Sequence, residues 1–160
     1  MCSPSFSTSN DNRYFEDYIP GAVHEFGTIA VDDQEVIDFG KRFVPLIYHV
    51  DKEAATKSIY GGIIASGWHT AALMMRVYVE NYLSQAANLG SPGGDELRWN
   101  QPVFPGDELS VRATVLEARR SESRPDRGIV RTFIEVLNQK REVVMSMKMV
   151  NFVTCRDAQG

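Results

Sequence analysis

The chain has 160 residues with 43% hydrophobic, 24% charged and 10% aromatic content, which suits one soluble globular domain and leaves little room for a second. Pro (7) and Gly (12) are moderate, so the composition is neither disordered nor fibrous. Lys plus Arg (17) against Asp plus Glu (21) gives a net charge of −4, which argues against a general nucleic-acid or anionic-membrane surface.

Residues 1–12 are rich in Ser, Asn and Asp and read as a flexible N-terminal tail, not as a secretory leader. No stretch reaches the roughly 20 apolar residues of a membrane span, and a cytoplasmic location is the default expectation. Cys2 and Cys155 sit near opposite ends with no CxxC spacing and no Cys/His cluster, so neither a metal site nor a disulfide scaffold is expected. Residues 13–155 read as one domain and 156–160 as a C-terminal tail.

In chain order, Pro20-Gly21 marks a turn and 27–31 a short strand. Asp32 or Asp33 is placed to N-cap a helix over 34–43, with Val36, Ile37, Phe39, Gly40 and Phe43 on one face. Pro45 ends it, because the residue before a proline avoids the α region. Asp51 reads as the N-cap of a second, short helix, and Gly61-Gly62 as a turn that needs positive φ or a close backbone approach. The segment 65–89 reads as the main helix, apolar on nearly every face, which demands cover on most sides. Strands are expected at 97–103, around 109–115 where Leu109, Val111, Ala113 and Val115 alternate with polar residues, and at 129–137 and 142–153, joined by Asn138-Gln139-Lys140-Arg141. The sum is α+β: one long helix held against a curved antiparallel sheet. Such a sheet has edges to hide, and a homodimer is one remedy.

Three stretches stand together: Tyr48-His49-Val50-Asp51 with Glu53-Ala54-Ala55, then Gly61-Gly62-Ile63-Ile64-Ala65-Ser66-Gly67, then the run from Leu97-Arg98-Trp99 through Pro102-Val103-Phe104-Pro105-Gly106-Asp107-Glu108-Leu109. This set resembles the MaoC-like dehydratases, the (R)-specific enoyl-CoA hydratase branch of the hotdog fold. The resemblance implies a long central helix wrapped by a curved antiparallel sheet, and a hydro-lyase that adds water reversibly across a trans-2-enoyl thioester. It implies acyl-CoA or another acyl thioester as partner, a homodimer or higher oligomer, and neither metal nor bound cofactor. His49 matches the family's catalytic histidine, and Gly67 the glycine whose N–H, at a helix N-terminus, receives the enolate oxygen. The family's catalytic aspartate, five residues before the histidine, falls on Val44. Asp51 and Asp38 are the neighbouring carboxylates; Asp51 is the candidate compensating acid, with capping as its simpler role. Gly62, Ile64, Ala65, Ser66 and His69 are the implied substrate-binding set.

Read without the resemblance, His49 is a partly buried hydrogen-bonding histidine, His69 has two equal alternatives, pointing toward the thioester or hydrogen bonding near the subunit interface, and Ser66 is a helix cap with no nucleophile elbow around it. Arg119, Arg120, Arg124 and Arg127 form a basic connection: a solvated surface, or a contact for coenzyme A phosphates. Two rival functions remain open. One is a non-catalytic acyl-thioester-binding protein, which Val44 favours. The other is a hotdog thioesterase, for which Glu80 is the helix's acidic residue, thirteen positions and about 20 Å beyond Gly67.

Overall fold

The computed structural model describes residues 6–159; Cys2 lies outside them. Strand β1 (Val23–Ala30) leads into helix α1 (Asp33–Phe43), two short helices α2 (Ile47–Val50) and α3 (Lys52–Thr56), and the long helix α4 (Gly67–Asn81). Strands β2 (Gly93–Trp99), β3 (Glu108–Arg120), β4 (Arg127–Leu137) and β5 (Val143–Thr154) follow. The five strands form one antiparallel sheet in the order β1-β3-β4-β5-β2. A long helix against an antiparallel sheet is the α+β arrangement expected from the sequence.

The core forms where α4 meets the sheet. Leu73, Met74, Val77 and Tyr78 recur at helical spacing and are buried. They join one cluster with Val111, Ala113 and Val115 of β3 and Val130, Ile134 and Val136 of β4, which alternate along their strands as period-2 side chains must. The sheet covers only one side of α4: Trp68, Ala72 and Arg76 remain exposed. Within one chain the expected wrapping is therefore one-sided.

Four sequence expectations shift. The main helix stops at Asn81, not near residue 89, because its last carbonyls are claimed from far away in the chain. The Arg13 guanidinium donates to the carbonyls of Asn81 (2.8 Å) and Tyr82 (2.9 Å), and Asn10 Nδ2 donates to that of Glu80 (2.8 Å). A buried cation at a helix C-terminus satisfies carbonyls that no further turn would reach. From Phe6 onward the expected loose tail is packed for the same reason. Phe6 stacks on His24 with ring centroids 3.9 Å apart, and the Arg13 guanidinium lies 3.5 Å over the Phe6 ring. The C-terminal segment is likewise held, since Arg156 bonds Asp17 at 2.6 Å. The strand expected over 97–103 runs instead from Gly93 to Trp99: Pro102 has no N–H for a ladder.

Arg13→Ala removes the guanidinium from three carbonyls; those of Asn81 and Thr8 lose this donor, while that of Tyr82 keeps the Tyr18 phenol. It should cost about 3 kcal/mol and lower the thermal midpoint by roughly 6–12 °C, read by circular dichroism. Burial also pushes the Tyr18 phenol, which donates to the Tyr82 carbonyl, up to about 12, with Arg13 pulling the other way. An unfolded tyrosine titrates near 10. The folded chain therefore holds a proton that the unfolded chain releases, and stability falls as pH rises from about 10 to 12. Chemical denaturation across that window should show a shallower decline in Tyr18→Phe than in the wild type.

Candidate active site

Helix α1 begins at its N-cap Asp32, whose carboxylate accepts from Glu35 N at 2.8 Å. It ends at Val44, whose N–H donates to Gly40 O. Pro45 then turns the chain into α2, which carries His49. Helix and histidine are in direct contact at Gly40, where an added Cβ would lie 2.9 Å from His49 Cβ. His49 is buried, and its Nδ1 lies 2.8 Å from the carbonyl oxygen of Ile64. A carbonyl only accepts, so Nδ1 carries the proton, and in the neutral ring Nε2 keeps its lone pair.

Two further backbone bonds fix the strand-like approach to α4: Ile64 N donates to Tyr48 O, and Ala65 N to Val103 O. Ser66 then N-caps α4, its hydroxyl accepting from Trp68 N at 3.2 Å. That bond assigns the Ser66 oxygen to capping. Gly67 opens the helix, so its N–H is one of the donors that no intrahelical carbonyl reaches. The indole of Trp99, from β2, lies directly on it: a Cβ at position 67 would sit 2.3 Å from the ring. Glycine is required here by close approach.

These elements enclose a cavity of about 410 Å³. Of the sequence-derived residues, His49, Ile64, Ala65, Ser66 and Gly67 line it, as does Val44. The aspartate slot thus faces the same space as the histidine, but it is filled by an isopropyl group. No carboxylate, lysine or arginine is among the lining residues. Gly62 and His69 do not line it. Gly62 lies in the preceding turn, where Gly61 has the positive φ of +69°. His69 points to Glu35, with Nε2 to Oε1 at 3.2 Å. Asp51 is exposed and caps α3, accepting from Ala54 N at 2.9 Å. It lies on a separate surface hollow with Glu53 and Lys57.

The sequence reading drew no role for Tyr48, Tyr60, Thr70 or Trp99, all cavity residues. Two of them carried a signal. Tyr48 adjoins His49 in the motif, and Thr70 lies one helical turn after Gly67, where a residue returns to the same face. The rings form two edge-to-face groups: Tyr48 to His49 at 4.6 Å and to Tyr60 at 5.2 Å, and Trp68 to Trp99 at 5.1 Å.

The basic connection is elsewhere. Arg127 pairs with Thr154 on β5, whereas Trp99 pairs with Met145, nine residues away along the same strand. That separation is about 30 Å. Arg119, Arg120 and Arg127 are each paired with a local acid. Glu80 is ion-paired with Arg76 near the far end of α4. Among the described residues, Glu16, Cys155 and Asp157 cluster closely, but Arg120 already lies against both carboxylates.

A family model described as MaoC like domain matches residues 44–136. The uncharacterized protein YdeM of Bacillus subtilis (strain 168) is 28% identical over 125 residues, covering 78% of this chain and 87% of its own length. The crystal structure of a MaoC-like dehydratase from Rhodospirillum rubrum is 39% identical, with a TM-score of 0.83 over 91% of this chain and 99% of that one. The unliganded R-hydratase PhaJ1 of Pseudomonas aeruginosa, at 23% identity, shares the fold with a TM-score of 0.69 over 89% and 95% of the two chains. The hotdog architecture is therefore that of this chain.

The contact at the helix start is testable. Gly67→Ala should lower the thermal midpoint and shift tryptophan emission, because the new methyl displaces the Trp99 ring. Adding Trp99→Ala should recover part of that loss, a coupling that a double-mutant cycle measures.

Proposed function

The chain belongs to the family of MaoC-like domains, and from that premise we propose that it catalyses the reversible hydration of a trans-2-enoyl thioester, with acyl-CoA as the thioester. The observation that carries this reading is the single cavity shared by His49, with Nδ1 committed to Ile64 O, and Gly67 at the open N-terminus of α4.

The chemistry closes with one imidazole. Nε2 takes a proton from water as the water oxygen bonds to Cβ of the enoyl group. The electron pair of the C=C bond moves to the thioester oxygen, which the Gly67 N–H receives in the positive field of the helix end. The imidazolium then returns its proton to Cα on the same face. For a syn addition, both hydrogen and hydroxyl come from one side, so one base that gives back what it took balances every atom. Val44 therefore costs the carboxylate that would orient the water and stabilise the imidazolium; it does not leave a proton without a carrier.

The same substitution supports a second reading, in which the chain binds acyl thioesters without turning them over. The thioesterase reading has no such support: Glu80 is paired with Arg76, far from Gly67. We also take the protein to be a cytoplasmic homodimer. β2 is an edge strand of the sheet, and Trp68 (58% exposed) and Trp99 (46%) leave apolar surface beside it for a second copy to cover.

Hydration of crotonyl-CoA, followed as loss of enoyl absorbance, should fall by about 10²–10⁴-fold in His49→Ala. Val44→Asp should raise it. Binding of crotonyl-CoA with no hydration in either the wild type or Val44→Asp would favour the second reading, and thiol release without hydration would favour hydrolysis.

A further inference from the structure

His69 is a buried titratable side chain that the chemistry above leaves unused. It is the third residue of α4 and only 2% exposed. Both of its resolved side-chain contacts run to α1. Nε2 meets Oε1 of Glu35 at 3.2 Å, and the ring stacks on Phe39 with centroids 4.9 Å apart and planes 12° from parallel. The Glu35 carboxylate accepts, so Nε2 carries the ring proton. Nδ1 is buried with no hydrogen-bond partner among the described residues, so within them the ring has one polar tether, and that tether leads to α1.

Helix α1 is also the element that holds the proposed base. Next to Phe39 and five residues after Glu35, Gly40 lies so close to His49 that a Cβ there would be 2.9 Å from His49 Cβ and 3.0 Å from its carbonyl oxygen. The last turn of α1 delivers Val44 to the cavity wall. α1 therefore touches the first turn of α4 through His69, and through Gly40 the Cβ and backbone of His49, from which the imidazole projects.

We propose that His69 and Glu35 are a positioning pair. They clamp α1 to the N-terminal turn of α4 and so set the His49 ring against the Gly67 N–H. His69 itself touches no substrate. Glu35 is half exposed, so the pair adds little stability; what it supplies is geometry, and a displacement of about 1 Å at a reacting centre costs up to 10²-fold in rate. The proposal rests on the reading of His49 and Gly67 given above, so its test includes an arm that needs no turnover.

The chain has three histidines, whose ring signals can be assigned by substitution in two-dimensional NMR. His69→Phe keeps the stack on Phe39 and removes the N–H donor. Glu35→Ala removes the acceptor from an exposed position and serves where His69→Phe fails to fold. Both should move the His49 ring signals and lower kcat for crotonyl-CoA hydration by about tenfold, with KM within about twofold. His69→Gln, which returns an amide N–H to the place of Nε2, should bring the signals and kcat back to within about threefold of the wild type. Unmoved His49 signals in His69→Phe or Glu35→Ala would overturn the clamp and leave His69 as core packing. Moved signals in a protein that hydrates no enoyl thioester would uphold the clamp and overturn the hydratase reading instead.

Discussion

The hydrogen bond from His49 Nδ1 to the Ile64 carbonyl is the constraint on which the site depends. It joins a side chain on one short helix to backbone fifteen residues later, three positions before α4 begins. It fixes the ring's tautomer and orientation with one contact, and it uses an acceptor that no change of side chain at position 64 removes. Ile64 N in turn bonds Tyr48 O. The imidazole-bearing segment and the approach to α4 are thus tied both ways, by backbone groups that would otherwise be buried without partners.

The two ends of α4 are treated in opposite ways, as the helix dipole requires. The C-terminal carbonyls are closed off by a buried guanidinium and an asparagine from the first dozen or so residues of the chain. The N-terminal N–H groups are satisfied only in part, by the Ser66 cap, and face a cavity. Each end is thus held locally: Arg13 and Asn10 close the last turn, and the Ser66 cap and the Trp99 ring bear on the first.

Much of this was legible in the sequence, and what was not has a common cause. Period-2 alternation in β3 and the N-caps at Asp51 and Ser66 are local signals that the structure carries as expected, and of the two candidates Asp32 and Asp33 it is Asp32 that caps α1. The end of α4 was not legible. Residues 82–89 continue an apolar helical pattern, and what stops the helix is a set of donors some seventy residues away. β2 was misplaced for a related reason. It is an exposed edge strand with no buried face, so it has no alternation to read. At the site, the motif residues that backbone geometry holds, His49 and Gly67, fell on one cavity. His69 did not, because a side chain on the first turn of a helix can point to either flank, and only the placement of α1 decides which.

The absence of charge from the cavity lining bears on how such a site works at all. A carboxylate in the place of Val44 would hold water strongly, but it would also carry a solvation shell into a small, aromatic-walled space, at a desolvation cost its partners must offset. With an isopropyl group there, the lining around the imidazole and the helix end carries no carboxylate, lysine or arginine, and its polar groups include those of Ser66, Thr70, Asn100, Gln101 and the two tyrosines. In the hydration we propose, the Gly67 N–H would receive the developing oxyanion, and that oxyanion would be the main countercharge to the imidazolium formed in the same step. Charge separation is confined to two groups across one ligand. An arrangement of this kind depends more on the distance between ring and helix end than one with a third charge to share the load, and for that reason rigid placement of α1 against α4 matters more here than in a site that keeps its acid.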